Sequence, residues 1–131
     1  MTAPARFQKQ ERIVSQKLIE ELFGGGQSHT LAAFPLRAVY MQQERQDRSE
    51  PVKVLISVPK KRLHHAVDRN RAKRQVREAY RLQKQVLIEK IPEGKAIDIA
   101  FIWLSDRPCP TAEISHKVCS LLERIAKKIV Y

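Results

Sequence analysis

The chain has 131 residues, 43% of them apolar, which supplies a core for one domain and not for several. Twenty-five Lys and Arg stand against 14 Asp and Glu, a formal net charge of +11 with a pI near 10.1; such a balance selects a polyanionic partner, either nucleic acid or an acidic membrane surface. No apolar run approaches a membrane span, residues 1–10 lack an apolar core of signal-peptide length, and Cys109 and Cys119 lack the partner pairs of a zinc site or a disulfide framework, so a cytoplasmic protein with free thiols is expected.

Residues 1–11 read as a loose polar tail, and residues 12–131 as a single domain. A short helix is predicted to run to about Phe23, with Ser15 as N-cap, Val14 and Ile19 as a hydrophobic staple, and Leu18, Leu22 and Phe23 buried. Gly24, Gly25 and Gly26 then stop it; they are not a phosphate loop, because no strand precedes them and no Lys-Ser/Thr follows. Residues 32–41 and 52–58 read as strands separated by a polar loop, 42–51, and Pro59 ends the second. A loop, 60–64, leads into a long basic helix over 65–89, closed by Pro92 and Gly94.

The next strand, 96–104, puts Ile97, Ile99, Phe101 and Trp103 on one face and Ala96, Asp98, Ala100, Ile102 and Leu104 on the other, so both faces are largely covered. Thr111 is placed to cap a last helix whose stripe is Ile114, Val118, Leu121, Leu122, Ile125 and Ile129. The order α-β-β-α-β-α, with room for an extra short strand, is that of a small α+β two-layer sandwich with its helices packed on one mixed sheet.

Ten of the 25 cations fall within 60–84, where the only acids are Asp68 and Glu78. Within the basic helix, Val76, Ala79, Tyr80, Gln83, Val86 and Leu87 form one stripe at helical spacing. Asn70, Arg74, Arg77, Arg81 and Lys84 form a second, polar stripe. A row of guanidinium groups about one turn apart matches a ladder of phosphates, whereas a purely solvated face would leave these cations repelling one another.

The run Ser57-Val58-Pro59-Lys60-Lys61, then Ala66-Val67, Arg69-Asn70-Arg71, Lys73-Arg74 and Arg77-Glu78-Ala79-Tyr80, closely resembles the signature of the bacterial ribonuclease P protein subunit. Arg12-Ile13, Phe23, Gly26 and Tyr40 are similar to that family at matching places. The resemblance implies an α+β fold with a left-handed βαβ crossover, against the usual right-handed rule. It also implies binding to a large catalytic RNA, which removes the 5′ leader of precursor tRNA with Mg held mainly by the RNA. On that resemblance, Arg69, Asn70, Arg71, Lys73, Arg74 and Arg77, continued by Arg81, would meet the RNA, and Lys60 and Lys61 would approach phosphates. Phe23, Tyr40 and Ile19 would line a cleft for the single-stranded leader, where an aromatic ring stacks a base at about 1–3 kcal/mol. Ile19 stands where relatives commonly carry an aromatic, Pro59 replaces a common Ser, and the loop Arg62-Leu63-His64-His65 is one residue longer than usual. A monomer within the ribonucleoprotein is expected.

Other readings compete with these. Phe23 and Tyr40 also suit core packing, and His64 and His65 suit simple exposure or a loop contact to RNA better than a metal. Asp98 calls for a neighbouring cation or backbone group. The acids are too dispersed for a protein-held Mg nuclease centre, and no helix-turn-helix appears. The alternative function is a stand-alone RNA-binding or ribosome-associated protein without a part in tRNA maturation.

Overall fold

Four strands, of which the third and fourth in chain order are rich in β-branched and aromatic residues, pair into one mixed sheet, and two long amphipathic helices cover one of its faces. The computed structural model describes residues 23–24, 28–44 and 50–129. The elements are β1 (His29–Ala33), β2 (Leu36–Glu44), β3 (Val52–Ser57), α1 (Ala66–Gln83), the single-turn α2 (Gln85–Ile88), β4 (Lys95–Trp103) and α3 (Thr111–Lys127). The sheet order is β1-β2-β4-β3. β1 and β4 both run antiparallel to β2, while β3 and β4 are parallel. A parallel pair needs a crossover, and α1 with α2 supplies it.

Alternation assigns the faces. Leu36, Ala38 and Tyr40 of β2, Val52 and Val54 of β3, and Ile97, Ile99, Phe101 and Trp103 of β4 join the main core beneath the helices. Val39, Met41 and Ala100 form a smaller cluster on the reverse face. Asp98, fully buried on that reverse face, accepts a hydrogen bond from the Gln43 side-chain amide. The neutral amide thus serves it in addition to whatever cation or backbone group the sequence led one to expect.

The stripe of α3 is as predicted over Ile114, Val118, Leu121, Leu122 and Ile125, all fully buried, while Ile129 is nearly buried but lies two residues beyond the end of the helix. At about 1.5–3 kcal/mol for each fully buried aliphatic side chain, this face is the main clamp between helix and sheet. α3 begins at Thr111 itself after Pro110, so Thr111 is the first helical residue and not the cap; its hydroxyl serves Gln75 instead.

Three expected boundaries move. The single strand predicted over 32–41 is a hairpin, β1 and β2 joined by Phe34 and Pro35 through a cis peptide bond. β2 then continues to Glu44, because Gln42, Gln43 and Glu44 pair with Ile97, Ala96 and Lys95. The basic helix breaks at Lys84, leaving α2 as a separate turn, and Val86 is exposed there instead of buried. Gly94, at φ +82°, makes the turn into β4 that a side chain would strain. The tail 1–11 and the first helix, with Val14, Ser15, Leu18, Ile19 and Leu22, lie outside the described residues, as do Gly25 and Gly26. Phe23 and Gly24 are helical.

Candidate nucleic-acid interface

α1 is held to the rest of the molecule by small side chains and amides. Ala72, Gln75, Val76, Ala79 and Tyr80 are its buried residues, with the Tyr80 ring tilted against Phe101 of β4 at 6.4 Å between centroids. The Gln75 amide donates to the Cys109 carbonyl (2.9 Å) and to the Thr111 hydroxyl (3.0 Å). Two turns later Gln83 donates to the Ser115 carbonyl (3.0 Å). Two amides on one face of α1 therefore stitch it to the start of α3.

The opposite face begins with Asn70 and Arg74, and Arg71 lies on the flank between them and Gln75; all three are exposed. That face does not continue as the sequence spacing suggests. Arg77, Arg81 and Lys84 are half-buried, and the exposed row passes instead to Glu78 and Leu82. Arg81 is further occupied by Glu78, donating from Nε at 3.0 Å with a second, shorter contact. That hydrogen bond holds the Glu78 carboxyl below its usual range and raises the Arg81 guanidinium.

Arg69 is also spoken for. Its guanidinium folds back over the helix start and donates to the carbonyls of Leu63 (3.0 Å) and His64 (2.8 Å). This matters because His65 at the N-cap makes no side-chain cap. The preceding turn is closed by Arg62 and Leu63 amides donating to the Pro59 carbonyl, with Leu63 buried and Lys60, Lys61, His64 and His65 exposed. Asn70, Arg71, Lys73, Arg74, Lys60 and Lys61 have no hydrogen-bond or ion-pair partner among the described residues. Five cations without such partners thus lie at one end of α1 and on the turn leading into it.

The two described cleft residues part company. Phe23 is half-exposed, at 49%. Tyr40 is only 4% exposed and belongs to the main core, and burial pushes its phenol up from the ordinary value. Its cross-strand partner His29 is exposed and lays its ring over Tyr40, centroids 5.4 Å apart and tilted by 37°. Sequence reasoning passed over His29, because its place beside Tyr40 depends on a hairpin register that the local sequence does not announce. Ile19 lies outside the described residues.

Among the described residues no three His, Cys, Asp or Glu side chains converge, and the carboxylates of Glu44, Glu78 and Asp106 are each paired with a Lys or Arg. These residues do not fit a catalytic Mg site. Burial raises both cysteine thiols above their usual value, away from the thiolate form that acts as nucleophile or metal ligand. No helix among the described residues is long and apolar enough to cross a membrane.

Comparison with known proteins decides what this basic helix belongs to. The model of the ribonuclease P family matches residues 7–126. The chain belongs to the ribonuclease P protein family. The ribonuclease P protein component of Porphyromonas gingivalis is 38% identical over 98% of this chain and 94% of its own length. The ribonuclease P proteins of Staphylococcus aureus and Thermotoga maritima, each 23% identical, share the fold with TM-scores of 0.64 and 0.62. Each alignment covers 89% of this chain, with 95% and 97% of theirs. Family membership makes the chain a protein component of a ribonucleoprotein endoribonuclease of tRNA 5′ processing, so an RNA partner accompanies it.

Proposed function

We propose that the N-terminal half of α1 and the turn before it dock on the catalytic RNA, while the surface carrying Phe23 and His29 receives the single-stranded leader of precursor tRNA. The observation that carries this reading is the separation within α1. One face is fixed by Gln75, Tyr80 and Gln83, and the exposed remainder leaves Asn70, Arg71 and Arg74, like Lys60 and Lys61 on the turn before it, without side-chain partners among the described residues. Guanidinium groups so placed make bidentate phosphate contacts, and Asn70 supplies both a donor and an acceptor for a base edge or a 2′-hydroxyl. In the cleft, Tyr40 backs the His29 ring, so the faces open to a base are those of Phe23 and His29.

Magnesium in this reading is held mainly by the RNA, and the described side chains offer no converging oxygen donors for it. The protein's contribution is positional and electrostatic: cations between two polyanions lower their repulsion and hence the metal concentration that cleavage requires. It acts as a monomer in the cytoplasm. The test is leader release from precursor tRNA at low magnesium, using the organism's own ribonuclease P RNA with each component omitted in turn. Cleavage that needs both RNA and protein is expected. Tight RNA binding without rescue of cleavage would instead indicate a stand-alone RNA-binding protein.

A further inference from the structure

The most exposed aromatic side chain among the described residues lies away from the cleft. Phe34, at the tip of the β1–β2 hairpin, is 65% exposed. An aromatic left this far in water forgoes most of the benefit of burial, and here it forms one wall of a hollow of about 420 Å³ whose other apolar walls are Pro108 and Pro110. That volume lies within the range of roughly 300–1,000 Å³ typical of small-ligand hollows. Its apolar walls suit a flat ring.

The hollow is tied to α1. Cys109, on its wall, is bonded through its carbonyl to Gln75. Arg71 precedes Gln75 by four residues and therefore stands on the same side of the helix, one turn nearer its start. Arg71 is exposed and has no ion-pair partner among the described residues. Burial dominates at the Cys109 thiol, and the charges of Glu113, Arg71 and Arg107 all reach it. Of the acids on the rim, Asp106 is bound by Arg62 at 3.1 Å. Glu113 lies in the first turn of α3, where the helix dipole favours a negative charge. The walls are thus suited to an uncharged ring, with Arg107 on the wall and Arg71 near Cys109 as the cations available to flanking phosphates.

We propose that the hollow beside Phe34 stacks one unpaired nucleobase of the RNA partner, continuing the cationic face of α1 onto the hairpin tip. The inference rests on the reading of α1 as the RNA-docking helix. Equilibrium binding of the full chain to its ribonuclease P RNA is measured across a salt series for the wild type, Phe34→Ala, Phe34→Trp and Arg71→Ala. Phe34→Ala should lose about tenfold in affinity with an unchanged salt slope, and Phe34→Trp should recover it, because stacking needs a ring and releases no counterion. The indole of Phe34→Trp should also change its emission when RNA is added. Arg71→Ala should weaken binding and lower the slope by about one. Wild-type affinity in Phe34→Ala together with weakened Arg71→Ala would overturn the stacking site and leave the α1 reading standing. Unchanged affinity in both would overturn the α1 reading as well. Phe34 is a tip residue, so its variants should melt like the wild type; a lowered melting temperature together with failure of Phe34→Trp to recover affinity would assign Phe34 to the fold and reject the site.

Discussion

α1 and α3 have 18 and 17 residues, pack on each other above the same sheet, and are held there by different means. α3 buries five branched aliphatic side chains in a continuous row. α1 buries two alanines, a valine, a tyrosine and a glutamine, and takes much of its fixing from the amides of Gln75 and Gln83. Small residues let the backbone of α1 lie close to its neighbours while committing little of its circumference. The rest of that circumference is left for charge. A helix that must present cations to a partner is thus held by short directional bonds, and a helix with no such duty by apolar area.

The sharpest way to break this contrast is to truncate the apolar row. Leu121→Ala should destabilise the protein by about 2–5 kcal/mol, read from denaturant unfolding, while the folded fraction keeps wild-type RNA affinity. The reverse pattern is expected for Arg71→Ala with Arg74→Ala: an unchanged unfolding midpoint, RNA binding weaker by about tenfold or more, and a salt slope lower by about two. Arg69→Ala should fall between these, losing about 1–2 kcal/mol of stability as the Leu63 and His64 carbonyls lose a charged donor, with a smaller loss of RNA affinity than Arg71→Ala. Unfolding and binding measured on the same preparation separate the two effects. The smallest change is expected from Glu78→Gln. It takes the carboxylate away from Arg81 and removes an acid from the exposed row, so RNA affinity should rise by about two- to threefold at low salt, and a fall would show that the Glu78–Arg81 pair is needed to shape the surface.

The sequence made α3 legible because its apolar period continues for four turns without interruption, and β4 legible because every position from Ala96 to Phe101 is apolar except Asp98. The hairpin was not legible. Phe34-Pro35 lacks the glycine or asparagine that announces a tight turn, so residues on both sides of it read as one strand. The break at Lys84 carries neither proline nor glycine and is equally silent. For the interface, the cationic run was plain, and the family signature pointed to the same residues. Which cations are free was not plain, because it depends on contacts between distant segments: Arg69 turns back to the loop, Arg81 is taken by Glu78, and Arg62 by Asp106. Tyr40 illustrates the same limit, since its burial depends on the partner strand that brings His29 over it.

β4 lies between β2 and β3 although it is the last strand to be translated. During synthesis β1 and β2 can form a local hairpin, but β3 has no neighbour to join, and α1 emerges before the Phe101 ring that Tyr80 packs against. Pairings between segments far apart in sequence form late. For that interval the ribosome carries a nascent chain whose cationic segment is already in solution among ribosomal RNA while the sheet beneath it is incomplete. A molecule with this strand order is a polycation before it is a domain.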